Sequence, residues 1–101
     1  MDPSELLTIT AVAGGLALAG EIDGHSSSIL ADALARHSAE RIAVDMSGVS
    51  FVDSSGLRVL IEAHQHAETA GGSITLTNLS ESVTRLLEIS GVDTYLDVDH
   101  S

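Results

Sequence analysis

The chain has 101 residues and 44% of them are apolar, which is enough for one hydrophobic core and argues against a disordered tail. Four Arg, no Lys and fifteen acidic residues give a formal net charge of -11 at pH 7, which disfavours nucleic acids and anionic membrane surfaces as partners. Cys is absent, so disulfides and thiolate metal sites are excluded. The N-terminus lacks a basic signal region, and no apolar run reaches the roughly 20 residues of a membrane span. We therefore expect a cytoplasmic protein without membrane insertion.

The first part of the chain predicts a β-hairpin and then a helix. Residues 7–11 alternate with period two, Gly14-Gly15 provides a turn, and residues 16–19 form a second strand. The second strand has apolar or small residues on both faces and is expected inside the sheet, whereas the first has Thr on one face and suits an edge. Ser26 is the predicted N-cap of a helix over residues 27–39. The expected inner face of that helix consists of Ile29, Leu30, Ala33 and Leu34.

The second part predicts two strands that alternate with two helices. Residues 42–46 form a central strand, Gly48 is expected to turn the chain, and a helix then runs to Gly71-Gly72. Its predicted inner face consists of Val59, Leu60, Ala63, Ala67 and Ala70. A strand over residues 74–77 and a helix between Ser80 and Gly91 follow. The inner face of the last helix is predicted to be Val83, Leu86, Leu87 and Ser90, and a weaker strand pattern covers residues 94–98.

This order, β-β-α-β-α-β-α with a weak final strand, predicts a single α/β domain over residues 1–101. Its sheet should be mixed and mainly parallel, with the antiparallel hairpin at one side. Functional residues gather beyond the carboxyl ends of parallel strands, so Asp23 and the run Asp53-Ser54-Ser55 are expected to meet at one edge. The run falls at a helix N-terminus, where backbone N–H groups and the helix dipole favour a negative group such as phosphate. Taken alone, Asp53 is interpreted equally well as a helix cap and Asp23 as a turn residue, and Ser55 is better interpreted as a hydroxyl bonded to its own helix.

The stretch Asp-Met-Ser-Gly-Val-Ser-Phe-Val-Asp-Ser-Ser-Gly-Leu, residues 45–57, resembles the signature of the STAS domain, and within that family of bacterial anti-sigma factor antagonists. Three further segments stand in the family's order, namely residues 20–23, 70–72 and 83–91. The resemblance implies a STAS-like fold and a phosphate-accepting residue at the second hydroxyl of the motif, which is Ser55. It also places Asp23 near that residue. Glu81 stands where the family often has Pro.

By this resemblance the chain is not an enzyme. The unphosphorylated form is expected to bind an anti-sigma factor that is also a serine kinase, which frees the sigma factor, and phosphorylation at Ser55 ends the binding. A serine phosphatase reverses the modification. No cofactor and no metal is expected. The predicted partner-binding residues around the phosphosite are Asp23, Asp53, Ser54, Gly56, Leu57, Arg58 and Ile61, although Leu57 and Ile61 fit a wide core face equally well. The alternative is a STAS adaptor subunit of a transporter or signalling assembly without a phosphorylation cycle.

Three other patterns have a chemical interpretation. Residues 24–28 begin like a Gly-x-Ser-x-Gly nucleophile elbow, but Ser28 replaces the second Gly and no His is marked as a base. His64 and His66 are two apart on a helix and point to different faces, so they are interpreted as solvated surface residues and not as a metal pair. Asp45 could serve as the phosphoacceptor of a receiver domain, but the acidic pair that such domains need for Mg²⁺ is missing.

Overall fold

The computed structural model describes residues 7–37, 39–92 and 96–99. The described elements are, in chain order, β1 Leu7–Val12, β2 Gly15–Ile22, α1 Ser27–Ala35, β3 Arg41–Val52, α2 Ser54–Thr69, β4 Ser73–Thr77, α3 Glu81–Ser90 and β5 Asp97–Asp99. The strands form one sheet in the order β1-β2-β3-β4-β5. β1 pairs with β2 antiparallel, and the other neighbours are parallel. The predicted α/β class, the hairpin and the edge position of β1 are confirmed.

All three helices cover the same face of the sheet. β2 to β5 are parallel neighbours in chain order, so each crossover steps in the same direction, and right-handed crossovers then place every helix on one side. Burial alternates accordingly: Leu16 and Leu18 of β2 are buried, whereas Ala17 and Ala19 are partly or fully exposed. The core lies between the sheet and the helices. Its least exposed large side chains are Ile22, Leu30, Leu34, Val44, Met46, Val49, Val52, Leu76 and Leu87.

The predicted turn at Gly48 is wrong, because Gly48 lies within a long β3 that continues to Val52. The register between β2 and β3 shifts on either side of Ala19, which pairs with Gly48. A Cβ on Gly48 would come within 2.8 Å of the Cβ of Ala19 and 2.9 Å of the carbonyl oxygen of Leu18. Glycine is thus used here for close strand packing at an irregularity, as is common at such sites.

Helix α1 is shorter than predicted, and one residue of its expected core face is wrong. The helix ends at Ala35 with Arg36 as C-cap, because the chain turns over the next residues, where the N–H of Glu40 donates to the carbonyl of His37. Leu30 and Leu34 are buried as predicted, but the Ile29 side chain is 56% exposed. Ala70 and Ser90, predicted on the inner faces of α2 and α3, are also exposed because each lies at its helix end.

The remaining helix boundaries agree with the sequence. Ser80 caps α3 by accepting a hydrogen bond from the N–H of Val83, and Gly91 ends the helix in the left-handed conformation with φ of 73°. β5 begins at Asp97, which is later than predicted, and residues 94 and 95 of the predicted strand lie outside the described residues. In the described part of the chain, no helix is long and apolar enough to cross a membrane.

Candidate functional site

The candidate site is formed where β2 and β3 end side by side. Ile22 and Val52 are register partners at the ends of the two parallel strands, and the N–H of Asp53 donates to the carbonyl of Ile22 at 3.0 Å. The β2–α1 loop and the start of α2 therefore leave the sheet together, as the sequence predicted. Two loops that are 30 residues apart in the chain thus meet at one edge.

Asp53 holds both halves of this edge. Its backbone is extended at the N-cap of α2, and its Oδ1 accepts a hydrogen bond from the N–H of Gly56 at 3.0 Å. The second carboxylate oxygen, Oδ2, accepts from the N–H of Gly24 at 3.3 Å. The capping interpretation of Asp53 is therefore correct but incomplete, since the same side chain fastens the β2–α1 loop to α2.

Asp23 organises its own loop. Its Oδ1 accepts hydrogen bonds from the N–H of His25 and of Ser26, both at 3.0 Å, and lies 3.2 Å from the Ser26 hydroxyl oxygen. These donors, with the Ser26 backbone N–H first, lower the pKa of the Asp23 carboxyl below its usual value. The turn interpretation accounts for the contacts of Asp23 within its loop. Asp23 is related to Ser55 only through this loop, which contains Gly24.

The Ser55 side chain faces that loop. A methyl group placed on Gly24 would lie 3.5 Å from Ser55 Oγ and 4.0 Å from Ser55 Cβ, so the two residues are neighbours. Ser55 is half-buried in the first turn of α2, and its hydroxyl makes no hydrogen bond within the described residues. The alternative in which this hydroxyl bonds to its own helix is therefore wrong for the described residues. Ser55 therefore lies at a helix N-terminus, where backbone N–H groups and the helix dipole favour a negative group.

Gly56 is required for packing within the chain. A Cβ there would lie 2.6 Å from Ile22 Cγ2, 2.8 Å from the Ile22 carbonyl oxygen and 2.9 Å from Val52 Cγ1. Only glycine allows α2 to start this close to the ends of the two strands. Gly24 was not singled out as a site residue from the sequence, although the Asp-Gly pair after a predicted strand is the signal that could have identified it.

The start of α2 also borders a shallow apolar groove whose lining includes neither Gly24 nor Ser55. Ser54 lies at this groove, so the two adjacent hydroxyls face different surroundings. Leu57 is buried at 8% exposure and belongs to the core, whereas Ile61 is half-buried and lies in the groove. Arg58 is exposed and donates from Nε to Glu62 at 2.8 Å. The groove is lined by Ser54, Leu57, Arg58, Ile61, Glu62, Ser90 and Val92.

The other chemical interpretations find no support in the geometry. Ser26 is 2% exposed, and its hydroxyl donates to the Glu21 carbonyl at 3.0 Å, so it is a structural residue and not a nucleophile. Asp45 lies within β3, before its carboxyl end, and accepts hydrogen bonds from Ser47 and Asn78. No group of three or more potential metal ligands occurs among the residues that the structure describes.

His64 differs from its prediction as a solvated residue. Its side chain is only 12% exposed, with Nε2 3.4 Å from a carboxylate oxygen of Glu68, and its buried Nδ1 has no hydrogen-bond partner among the described residues. His66 is exposed, as predicted. The low exposure of the His64 side chain follows from its place on α2 beside the buried stripe, one turn after Leu60.

Comparison with known proteins agrees with this architecture. The family model described as "Mlab, STAS domain" matches residues 6–98. The chain belongs to the STAS domain family. Within this family, the anti-sigma-B factor antagonist of Bacillus subtilis (strain 168) is 36% identical over 84 residues, which cover 80% of this chain and 76% of that protein. The resemblance drawn from residues 45–57 is thereby confirmed.

Solved structures share the fold of this STAS domain. An anti-sigma factor antagonist from Mycobacterium paratuberculosis superposes with a TM-score of 0.74 at 20% identity, covering 94% of this chain and 85% of that one. The Bacillus cell fate determinant SpoIIAA in its phosphorylated form gives a TM-score of 0.65 at 18% identity, covering 94% and 92%. At these identities the comparison establishes the shared STAS fold.

Proposed function

We propose that this STAS domain is an anti-sigma factor antagonist controlled by phosphorylation at Ser55. In its unphosphorylated form it binds an anti-sigma factor that is also a serine kinase, and the sigma factor is released. The observation that carries the proposal is the unbonded Ser55 hydroxyl at the start of α2, in a chain 36% identical to a named anti-sigma-B factor antagonist. The chain itself is proposed to be a substrate and ligand, with the kinase and a serine phosphatase as separate proteins.

The contacts of the two hydroxyls favour Ser55 over Ser54 as the acceptor. The Asp53 carboxylate accepts a hydrogen bond from the N–H of Gly24 and so holds the β2–α1 loop beside Ser55. Gly24 has no side chain, so one wall of the Ser55 environment is bare backbone that an approaching kinase can contact. Ser54 instead lines the groove, whose lining includes neither Ser55 nor Gly24.

The docking surface is proposed to join both sides of the α2 start. One side consists of the loop after Asp23 with Ser55, and the other is the groove, where Ile61 supplies exposed apolar area and Arg58 a charge. Leu57 offers little contact surface to a partner, because its side chain is almost fully buried in the core under the groove. An apolar centre with a polar rim is the usual composition of a protein interface.

Phosphate at Ser55 would break such a complex without unfolding the domain. It adds about -1.5 to -2 charges at pH 7 beside the Asp53 carboxylate, in a chain with a net charge of -11. In the free protein, the α2 N-terminus and water stabilise that charge. In the complex the charge would have to be desolvated against a surface shaped for a neutral hydroxyl, which costs several kcal/mol. We expect affinity to fall by about a hundredfold or more.

Calorimetric titration tests this proposal. The protein is made with phosphoserine incorporated at position 55, or at position 82 as the matched control, and each form is titrated with the cognate anti-sigma factor. Ser82 is exposed in the first turn of α3, two residues after the N-cap as Ser55 is in α2, and lies outside the proposed docking surface. Binding is expected for the unphosphorylated protein, and a loss of about a hundredfold only for phosphate at position 55. Equal affinity of the phosphorylated and unphosphorylated forms, with circular dichroism showing both folded, would contradict the switch and favour the adaptor function.

A further inference from the structure

The sheet has one long edge that lacks the usual protection against strand pairing. β1 is an end strand that pairs only with β2 among the described residues. Its sequence, Leu-Thr-Ile-Thr-Ala-Val, contains no charge and no Pro, and its six residues pair with β2 in an unbroken register. Proteins normally protect such edges with charges, Pro, bulges or very short strands. β5, at the opposite end of the sheet, has three residues and two of them are Asp.

The distribution of charge selects this edge for contact between two copies of the chain. The net charge is -11, yet no charged residue occurs from Leu6 to Gly20, which includes the whole hairpin. Two copies of so acidic a chain repel each other over most of their surface. Contact at the hairpin avoids this repulsion, because the hairpin itself contains no charged residue.

A stripe on α1 lies beside the same edge. Ile29, Asp32, Ala33 and Arg36 are spaced i, i+3, i+4 and i+7, and they line a groove of about 280 Å³ together with Ile9 of β1. Ile29 is 56% exposed there, and Ala33 is small enough to allow a close helix contact. The side chains of Asp32 and Arg36 make no ion pair within the described residues.

We propose that this edge is a homodimer interface in which β1 of one copy pairs antiparallel with β1 of a second copy about a two-fold axis. The two sheets become one continuous sheet, and the two α1 stripes face each other across the axis on its helical side. Helices related in this way run antiparallel, so a two-fold axis that passes beside the middle of the stripe sets Arg36 of each copy opposite Asp32 of the other. The stripe is therefore self-complementary: each copy supplies an acidic and a basic group that the other needs.

The composition of the stripe argues for a second copy over a different partner. A strongly basic partner would find acidic groups over the rest of this chain and would gain nothing from Arg36. An isologous contact, in contrast, matches both charges at once. The interface contains none of the residues proposed for the Ser55 docking surface, so the inference is independent of the proposed function. Its area is small, so we expect a reversible dimer.

Sedimentation equilibrium of the full chain from about 1 µM to about 1 mM, the range of weak dimers, tests the proposal. Arg36→Glu should abolish dimerisation, because it sets an acidic residue against Asp32 of the other copy. Arg85→Glu is the matched control: it adds the same negative charge on exposed α3 and should leave the dimer intact apart from the small effect of net charge. The exchanged variant Asp32→Arg/Arg36→Asp has the wild-type net charge and should dimerise again.

Hydrogen exchange adds a second measurement. Amide protection in β1 should rise with protein concentration in the wild type and in the exchanged variant, and should not rise in Arg36→Glu. A monomer throughout the concentration range would overturn the proposal. So would a dimer that survives Arg36→Glu, or an exchanged variant that stays monomeric while circular dichroism shows it to be folded.

Discussion

The starts of α1 and α2 are built from similar residues but use them differently. Each follows a parallel strand, and each has an Asp shortly before a Ser. At α1, the Ser26 hydroxyl is buried and bonded to the Glu21 carbonyl and the Asp23 N–H. At α2, Asp53 provides the helix cap and the link to the neighbouring loop, and Ser55 is left without a hydrogen bond. The Ser26 hydroxyl is thus fixed by backbone contacts, whereas at α2 the Asp53 carboxylate makes the corresponding contacts with the backbone.

The largest expected difference in stability is between alanine substitutions at Gly56, at the start of α2, and at Gly24, before α1. Gly56→Ala would place a Cβ 2.8 Å from the Ile22 carbonyl oxygen, and such overpacking typically costs about 1 to 3 kcal/mol. Gly24→Ala meets nothing closer than 3.5 Å, so its stability should change by less than about 1 kcal/mol. Urea unfolding of both variants measures the difference. Equal stabilities would show that α2 does not depend on its close approach to Ile22.

Replacing Ser26 with Ala should lower the free energy of unfolding more than replacing Ser55 with Ala. Ser26→Ala removes a buried hydroxyl and leaves the Glu21 carbonyl and the Asp23 N–H short of a partner, which we expect to cost about 1 to 3 kcal/mol. Ser55→Ala removes no hydrogen bond and should stay within about 0.5 kcal/mol of the wild type. It should also keep partner binding. If the two alanine variants unfold at the same urea concentration, the Ser26 hydroxyl does not stabilise the fold more than the Ser55 hydroxyl does.

The smallest effect is a pH dependence at the start of α1. Hydrogen bonds from Ser26 and His25 lower the pKa of Asp23 below its ordinary value of 3.8. The folded protein therefore favours the charged carboxylate, and this contribution to stability is present above pH 3.8 and is lost as the pH falls through the lower folded value. Asp23→Asn should reduce stability near neutral pH, and the gap to the wild type should close in acid. Urea midpoints measured across this pH range for both proteins test the sign; a gap that widens in acid would contradict it.

Most of the fold could be predicted from residue patterns. The hairpin turn, the Ser80 cap and the Gly91 stop are local signals, and the structure uses each of them. The turn at Gly48 was predicted wrongly because glycine in a turn and glycine at a strand irregularity look alike in one sequence. The exposure of Ile29 likewise depends on which side of α1 faces the sheet, a tertiary choice that helical spacing leaves open.

The candidate site was predicted less completely. The position of Asp53 at the helix cap could be read from the chain, but its second hydrogen bond, to Gly24, depends on β2 and β3 being neighbours. The same holds for the contact between Gly24 and Ser55. Long-range contacts of this kind carry no local pattern, so the loop appeared in the sequence only as a turn.

The most direct test of a single acceptor is phosphopeptide mapping after incubation with the cognate kinase and ATP. Cleavage after Arg41 and Arg58 releases residues 42–58, which contain Ser54 and Ser55, while Ser26 falls in a different peptide. Fragmentation of the 42–58 peptide then separates the two neighbouring serines. We expect one phosphate, on Ser55, in the wild type, Ser54→Ala and Ser26→Ala, and none in Ser55→Ala. Phosphate on Ser54 or Ser26 that persists in Ser55→Ala would contradict the assignment of the switch to Ser55.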